Sequence, residues 1–131
     1  MKSIDVIAIP VTDQEKAKRF YSSLGFEVMV ETDMGSGRTW LQMGLPGSFT
    51  SISLVTWFKK MPAGSLQGLV IRTDNLEEDL LRLRENGLET GKIEEGLWGR
   101  FVSFKDPDGN GLSLQQQNAD PADQNTSLTP P

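Results

Sequence analysis

The chain states one pattern twice. Val11-Thr12-Asp13-Gln14-Glu15 opens a helical stretch that stops at Gly25-Phe26, and Thr73-Asp74-Asn75-Leu76-Glu77 opens another that stops at Gly87-Leu88. A shift of 62 positions places Thr12 on Asp74, Glu15 on Glu77 and Gly25 on Gly87. Further on, Ile52-Ser53-Leu54 returns as Leu112-Ser113-Leu114 at a shift of 60. A duplication narrows the possible folds, because both copies must build the same supersecondary unit. It also says where to look for chemistry: a site at the seam draws matching positions from each copy.

Within each copy the periodicity gives the order of elements. Residues 4–11 alternate as a strand, with Pro10 at its end because it lacks an N–H. Thr12-x-x-Glu15 has the form of a capping box, and Ala17, Phe20, Tyr21 and Leu24 follow as one helical stripe. Gly25 ends that helix. Strands are expected over 26–31, 38–43 and 49–57, with Met34-Gly35-Ser36-Gly37 as a turn. In the second copy, residues 69–73 form a strand and Asp74-x-x-Glu77 a second capping box. Leu76, Leu80 and Leu83 form the buried stripe, and strands follow over 88–93, 98–105 and 111–116. The reading is two tandem βαβββ units, an α+β chain of one domain over 1–117. Unit one runs 4–57 and unit two 66–117, and residues 118–131 form a flexible polar tail.

Composition bounds the chemistry. A chain of 131 residues can bury roughly two-thirds of its unfolded surface. A net charge of −5 argues against a nucleic-acid partner, and no apolar run reaches the ~20 residues of a membrane span. The N-terminus lacks a signal-peptide pattern, so a cytoplasmic location is expected. Cysteine and histidine are both absent, which removes thiolate nucleophiles, the commonest general base and the commonest transition-metal ligands.

Three words in this order resemble the vicinal oxygen chelate superfamily of glyoxalases, bleomycin-resistance proteins and extradiol dioxygenases. They are Pro10-Val11-Thr12-Asp13, Phe20-Tyr21-Ser22-Ser23-Leu24-Gly25-Phe26 and Phe104-Lys105-Asp106-Pro107-Asp108-Gly109-Asn110. The resemblance covers roughly residues 4–117. It implies a cupped mixed sheet with helices on its outer face, and a homodimer. It also implies, in metal-dependent members, one ligand from the first and one from the last strand of each unit. Those positions fall on Val6, Ser53, Gly68 and Ser113, none of which is a carboxylate, imidazole or amide. No metal and no cofactor is therefore expected, and no catalytic residue.

The remaining candidates are ligand-binding ones. Arg38, Trp40 and Gln42 share one strand face, opposite Thr39, Leu41 and Met43, and Gln115 accompanies Ser113. Trp98 and Arg100 offer an indole and a guanidinium, although a one-residue change of register would turn Phe101 inward instead. Arg38 and Trp40 serve equally as plain sheet surface or a subunit contact. Trp57 and Phe58, at the bridge between units, fit a pocket lip or a dimer contact. Asp106 to Gln117 resembles a calcium loop but ends in Gln between strands, so it reads as a hairpin turn. Tyr21 has the spacing of a packed residue rather than of a general acid. Together these features predict a protein that binds a small organic molecule in a metal-free cavity between its two units. The alternatives are a divalent-metal-dependent lyase, isomerase or dioxygenase with atypical ligands, and a dimer with a vestigial cavity.

Overall fold

The computed structural model describes residues 1–118, and the expected tail falls outside them except for Asn118. The order is β1 (Val6–Pro10), α1 (Gln14–Ser23), β2 (Glu27–Asp33), β3 (Thr39–Gly44) and β4 (Ser51–Val55). Then come β5 (Leu69–Arg72), α2 (Leu76–Glu85), β6 (Glu94–Glu95), β7 (Gly99–Lys105) and β8 (Gly111–Gln117). Both halves are βαβββ units, and the chain is α+β. The chain divides into two compact units, residues 1–67 with 106–110, and residues 68–105 with the segment from 111 onward. The turn joining β7 to β8 thus belongs to the first unit.

Each unit has a four-stranded mixed sheet with the same topology, β1-β4-β3-β2 in the first and β5-β8-β7-β6 in the second. In each, the first and last strands run parallel and the other neighbours antiparallel. The register carries the duplication to single residues. Ala8 lies opposite Ser53, and Val70, 62 positions after Ala8, lies opposite Ser113.

In the first unit, Ile9, Leu41, Met43, Ile52 and Leu54 are buried together with Ala17 and Tyr21 of α1, which packs on β4. Tyr21 meets Phe26 edge to face, centroids 5.6 Å apart, a geometry favoured by the ring quadrupoles. In the second unit, Leu76, Leu80 and Leu83 of α2 are buried with Val102, Phe104, Leu112 and Leu114. Both helices end at a residue that only glycine adopts cheaply: Gly25 has φ +108° and Gly87 φ +88°.

Two local expectations are corrected. The N-caps are Asp13 and Asn75, one position after the expected Thr12 and Asp74, and they accept from the amides of Lys16 and Glu78. Thr12 is drawn away by Asp108, whose Oδ1 accepts from its hydroxyl at 2.7 Å and from its amide at 3.2 Å. The expected strand over 88–93 reduces to a single bridge between Thr90 and Phe104, with the strand proper at β6. There the Arg84 side chain donates to Thr90 Oγ1 and to the Gly91 carbonyl, the latter an acceptor a ladder would have used.

Candidate functional site

A sheet with a helix on one side has a second face free for chemistry. In the first unit, period-2 alternation places Trp40, Gln42, Ser51, Ser53 and Val55 on the face away from α1. Val6 and Ala8 join them through their registers with Ser51 and Ser53. A chain of hydrogen bonds runs along this face. Trp40 Nε1 donates to Gln42 Oε1 at 3.0 Å, Gln42 Nε2 to Ser51 Oγ at 2.8 Å, and Ser51 Oγ to the Asp5 carbonyl at 3.3 Å. This relay ties the indole N–H to the next outward residue of its strand and sets which end of the Gln42 amide carries oxygen.

Ser53 stands beside this relay without joining it. Its residue is 0% exposed, and its Oγ has no hydrogen-bond partner among the described residues. A buried hydroxyl without a partner costs about 1–3 kcal/mol. The neighbouring Ser51, also buried, is satisfied on both sides, so burial alone does not explain the orphan. It is a buried polar group without a partner among apolar and amide neighbours.

Arg38 lies just before β3 and stacks its guanidinium 5.8 Å from the Trp57 ring centroid, a cation–π contact. Trp57 is half-buried, with Phe58 edge to face at 6.0 Å. Phe58 itself remains 40% exposed.

In the second unit, the face away from α2 carries Val70, Arg72, Phe101, Ser113, Gln115 and Gln117 by the registers of β5, β7 and β8. The four residues Val70, Arg72, Gln115 and Gln117 line a hollow of about 140 Å³. Arg100 points the other way. It pairs in register with Gln116, ion-pairs with Glu77 of α2, and shares Gln116 Oε1 with the Leu76 amide. The side chain sharing Gln115's face is therefore Phe101. Trp98 precedes β7, is 37% exposed, and accepts at its carbonyl from Asn118 N–H. Gly68 precedes β5 with φ +85°, and Ser113 faces Val70, two residues further on.

The donor chemistry at the four inherited positions is two hydroxyls, one methyl-bearing side chain and one glycine. That set does not fit a divalent cation, which wants anionic or imidazole donors. Among the described residues no group of three or more acidic side chains is placed to hold a metal. The Asp106–Asn110 turn is likewise committed. Asp106 Oδ1 accepts from the amides of Asp108 and Asn110, and Oδ2 from Tyr21 Oη and Asn110 Nδ2. Asn110 in turn bonds the Pro10 carbonyl and the Leu66 amide. Burial, with the adjacent Asp106 charge and hydrogen bond, holds the Tyr21 phenol well above its ordinary pKa. Tyr21 is a locked structural donor.

Residues missed in sequence were Val70, Arg72 and Gln117. The signal was present: Gly68, Val70 and Arg72 recur with period 2, and Gln115 and Gln117 extend Ser113 in the same way.

A family model describing the Glyoxalase/Bleomycin resistance protein/Dioxygenase superfamily matches residues 3–114. The chain belongs to that superfamily. Among solved structures it is similar to TnmS3, an antibiotic binding protein from Streptomyces sp. CB03234, with 41% identity and a TM-score of 0.86. The match covers 90% of this chain and 98% of that one. A glyoxalase/bleomycin resistance protein from the same organism is 43% identical with a TM-score of 0.79, over 87% of this chain and all of its own. The protein YetH of Bacillus subtilis (strain 168) is 34% identical over 121 residues, covering 88% of this chain and 99% of its own. No helix among the described residues is long and apolar enough to cross a membrane.

Proposed function

We propose that this superfamily member is a metal-independent binding protein for a small organic molecule, held against the helix-free sheet faces. The observation that carries the reading is Ser53: a fully buried, unpartnered hydroxyl beside the Trp40–Gln42–Ser51 relay, where metal-dependent relatives keep a ligand. A site without acid–base pairs or metal donors suits capture rather than turnover. The similarity to TnmS3, an antibiotic binding protein, supports capture of a natural product. On the first unit's sheet Trp40 supplies an aromatic wall and Gln42 and Ser53 supply polar contacts; on the second unit's own sheet Ser113 and Gln115 offer polar contacts. We place the protein in the cytoplasm as a homodimer. The edge strand β2 is exposed along its whole length and carries Val28, Met29 and Val30, an apolar edge that a second copy would protect.

The test is a melting and fluorescence screen of aromatic acids, cationic glycopeptides and polycyclic antibiotics against wild type, Trp40→Ala and Ser53→Leu. Loss of the Trp40 ring should weaken binding roughly ten- to a hundredfold, from about 1–3 kcal/mol of apolar contact. Ser53→Leu fills the position and should block binding. A ligand bound equally by all three proteins would place the site elsewhere.

A further inference from the structure

We propose that the hollow lined by Val70, Arg72, Gln115 and Gln117 is a carboxylate-recognising subsite, taking the anionic end of an aromatic ligand. The inference rests on the small-molecule reading and adds the ligand's charge and the residue that reads it.

The argument starts from alternation. On β8, Gln116 turns toward α2 and is used there by the Leu76 amide and by Arg100. Gln115 and Gln117 turn the other way, and neither side chain has a hydrogen-bond partner among the described residues. On β5, Val70 and Arg72 share that outward face, and Arg72 lies directly opposite Gln115. Other arginines of this unit are engaged: Arg82 with Asp79, Arg84 with Thr90 and Gly91, Arg100 with Glu77. Among the described residues the Arg72 guanidinium has neither an ion pair nor a hydrogen bond. It has five N–H donors in a planar fork and no acceptor, the geometry that grips a carboxylate with two parallel bonds.

On a flat sheet an exposed arginine between two glutamines would be ordinary solvated surface. Here the three groups converge on a concavity, and Val70, 43% exposed, gives it an apolar side. Its size decides what enters. A cavity of roughly 150 Å³ accommodates a benzene ring, whereas a whole drug-sized site measures about 300–1,000 Å³. At about 140 Å³ the hollow holds one ring or one carboxylate-bearing end of a larger molecule. The two amides can donate to the carboxylate or to an adjacent carbonyl while Val70 touches the ring. The net charge of −5 opposes an anion only at long range, because screening at physiological salt acts over about 8 Å. Contact with the guanidinium is made well inside that distance.

The arginine of this hollow belongs to one copy only. The first-unit counterparts of Val70 and Arg72, at the shift of 62, are Ala8 and Pro10, and the Pro10 side chain carries no donor. The duplication has diverged here into one apolar and one cationic half.

The experiment is calorimetric titration of 2-naphthoate and its uncharged counterpart 2-naphthamide into wild type, Arg72→Gln, Arg72→Lys and Trp40→Ala, each first checked for an unchanged melting transition. Wild type should bind the acid at least tenfold more tightly than the amide. Arg72→Gln should lower affinity for the acid roughly ten- to a hundredfold and leave the amide unaffected. Arg72→Lys should recover only part, since an ammonium keeps the charge but lacks the fork. Equal binding of acid and amide by wild type, or an acid preference that survives in Arg72→Gln, would overturn the inference. If the amide binds in a Trp40-dependent way with no acid preference, the small-molecule reading stands and this one falls. If neither compound binds at millimolar concentration, this inference falls; the antibiotic screen decides the broader reading separately.

Discussion

The hydroxyl of Tyr21 donates to Oδ2 of Asp106 at 2.8 Å, joining two residues 85 positions apart. Tyr21 comes from α1, and Asp106 opens the turn after β7. Both are buried, and Asp106 completes its shell with two amides and the Asn110 side chain. Through this bond a turn made late in the chain becomes part of the first unit's interior.

Tyr21 is the single tyrosine of the chain, so its ionisation has a clean optical signal. Its folded pKa is raised, so folding favours the protonated phenol. That contribution is fully present below the ordinary phenol pKa of about 10 and is lost as pH rises above it. Tyrosinate absorbance should therefore appear together with alkaline unfolding rather than as a separate step near pH 10. A titration near 10 in the folded protein would contradict the buried pairing. Tyr21→Phe should destabilise by about 1–3 kcal/mol in urea, because Asp106 loses a donor it cannot replace with water.

Two glycines separate backbone strain from steric conflict. Gly35 has φ +82° with no atom near an added Cβ, while Gly64 has φ +84° and an added Cβ would collide with the Asp108 carbonyl. Gly35→Ala should cost about 1–2 kcal/mol, the left-handed penalty alone. Gly64→Ala should cost distinctly more, since a turn must also move. Equal losses in chemical denaturation would mean that the 106–110 turn yields freely.

Ser53→Ala tests the orphan hydroxyl from the other direction. Without ligand it should leave stability unchanged or raise it by about 1 kcal/mol, since an unpaired polar group is removed from the interior. With ligand it should weaken binding. A clear loss of stability in the ligand-free protein would show that the hydroxyl has a structural partner.

Elemental analysis of the purified protein should find less than a tenth of an equivalent of zinc, iron, nickel or manganese per chain, roughly the level of adventitious binding to neutral donors. Chelator should leave the melting temperature unmoved. One equivalent of metal would favour the metal-dependent enzyme alternative over capture.

For the dimer, light scattering at micromolar concentration should give twice the chain mass. Val28→Lys combined with Val30→Lys should shift it to the monomer, because both side chains lie on the exposed β2 edge. A wild-type monomer would remove the homodimer from the proposal.

Much of this was available from residue order alone. The duplication, the two βαβββ units, the glycine stops and the buried stripe of α2 follow from periodicities of 2 and 3.6 and from a repeat within the chain. The same alternation placed Trp40 and Gln42 on one face, opposite Leu41 and Met43. These are local properties, dictated by backbone geometry and by which side chains avoid water. Tertiary structure decided what depended on a competing partner far away in sequence. Thr12 and Asp13 are both good caps, and only the approach of Asp108 takes Thr12 out of contention. Arg100 and Phe101 are equally plausible inward residues until Glu77 and Gln116 claim the guanidinium for the helix side. Ser51 and Ser53 look alike in sequence, yet Gln42 reaches one and leaves the other without a bond. Hydrogen bonds are short-ranged and saturable, so which of two similar groups obtains one is settled by a few ångströms of three-dimensional placement.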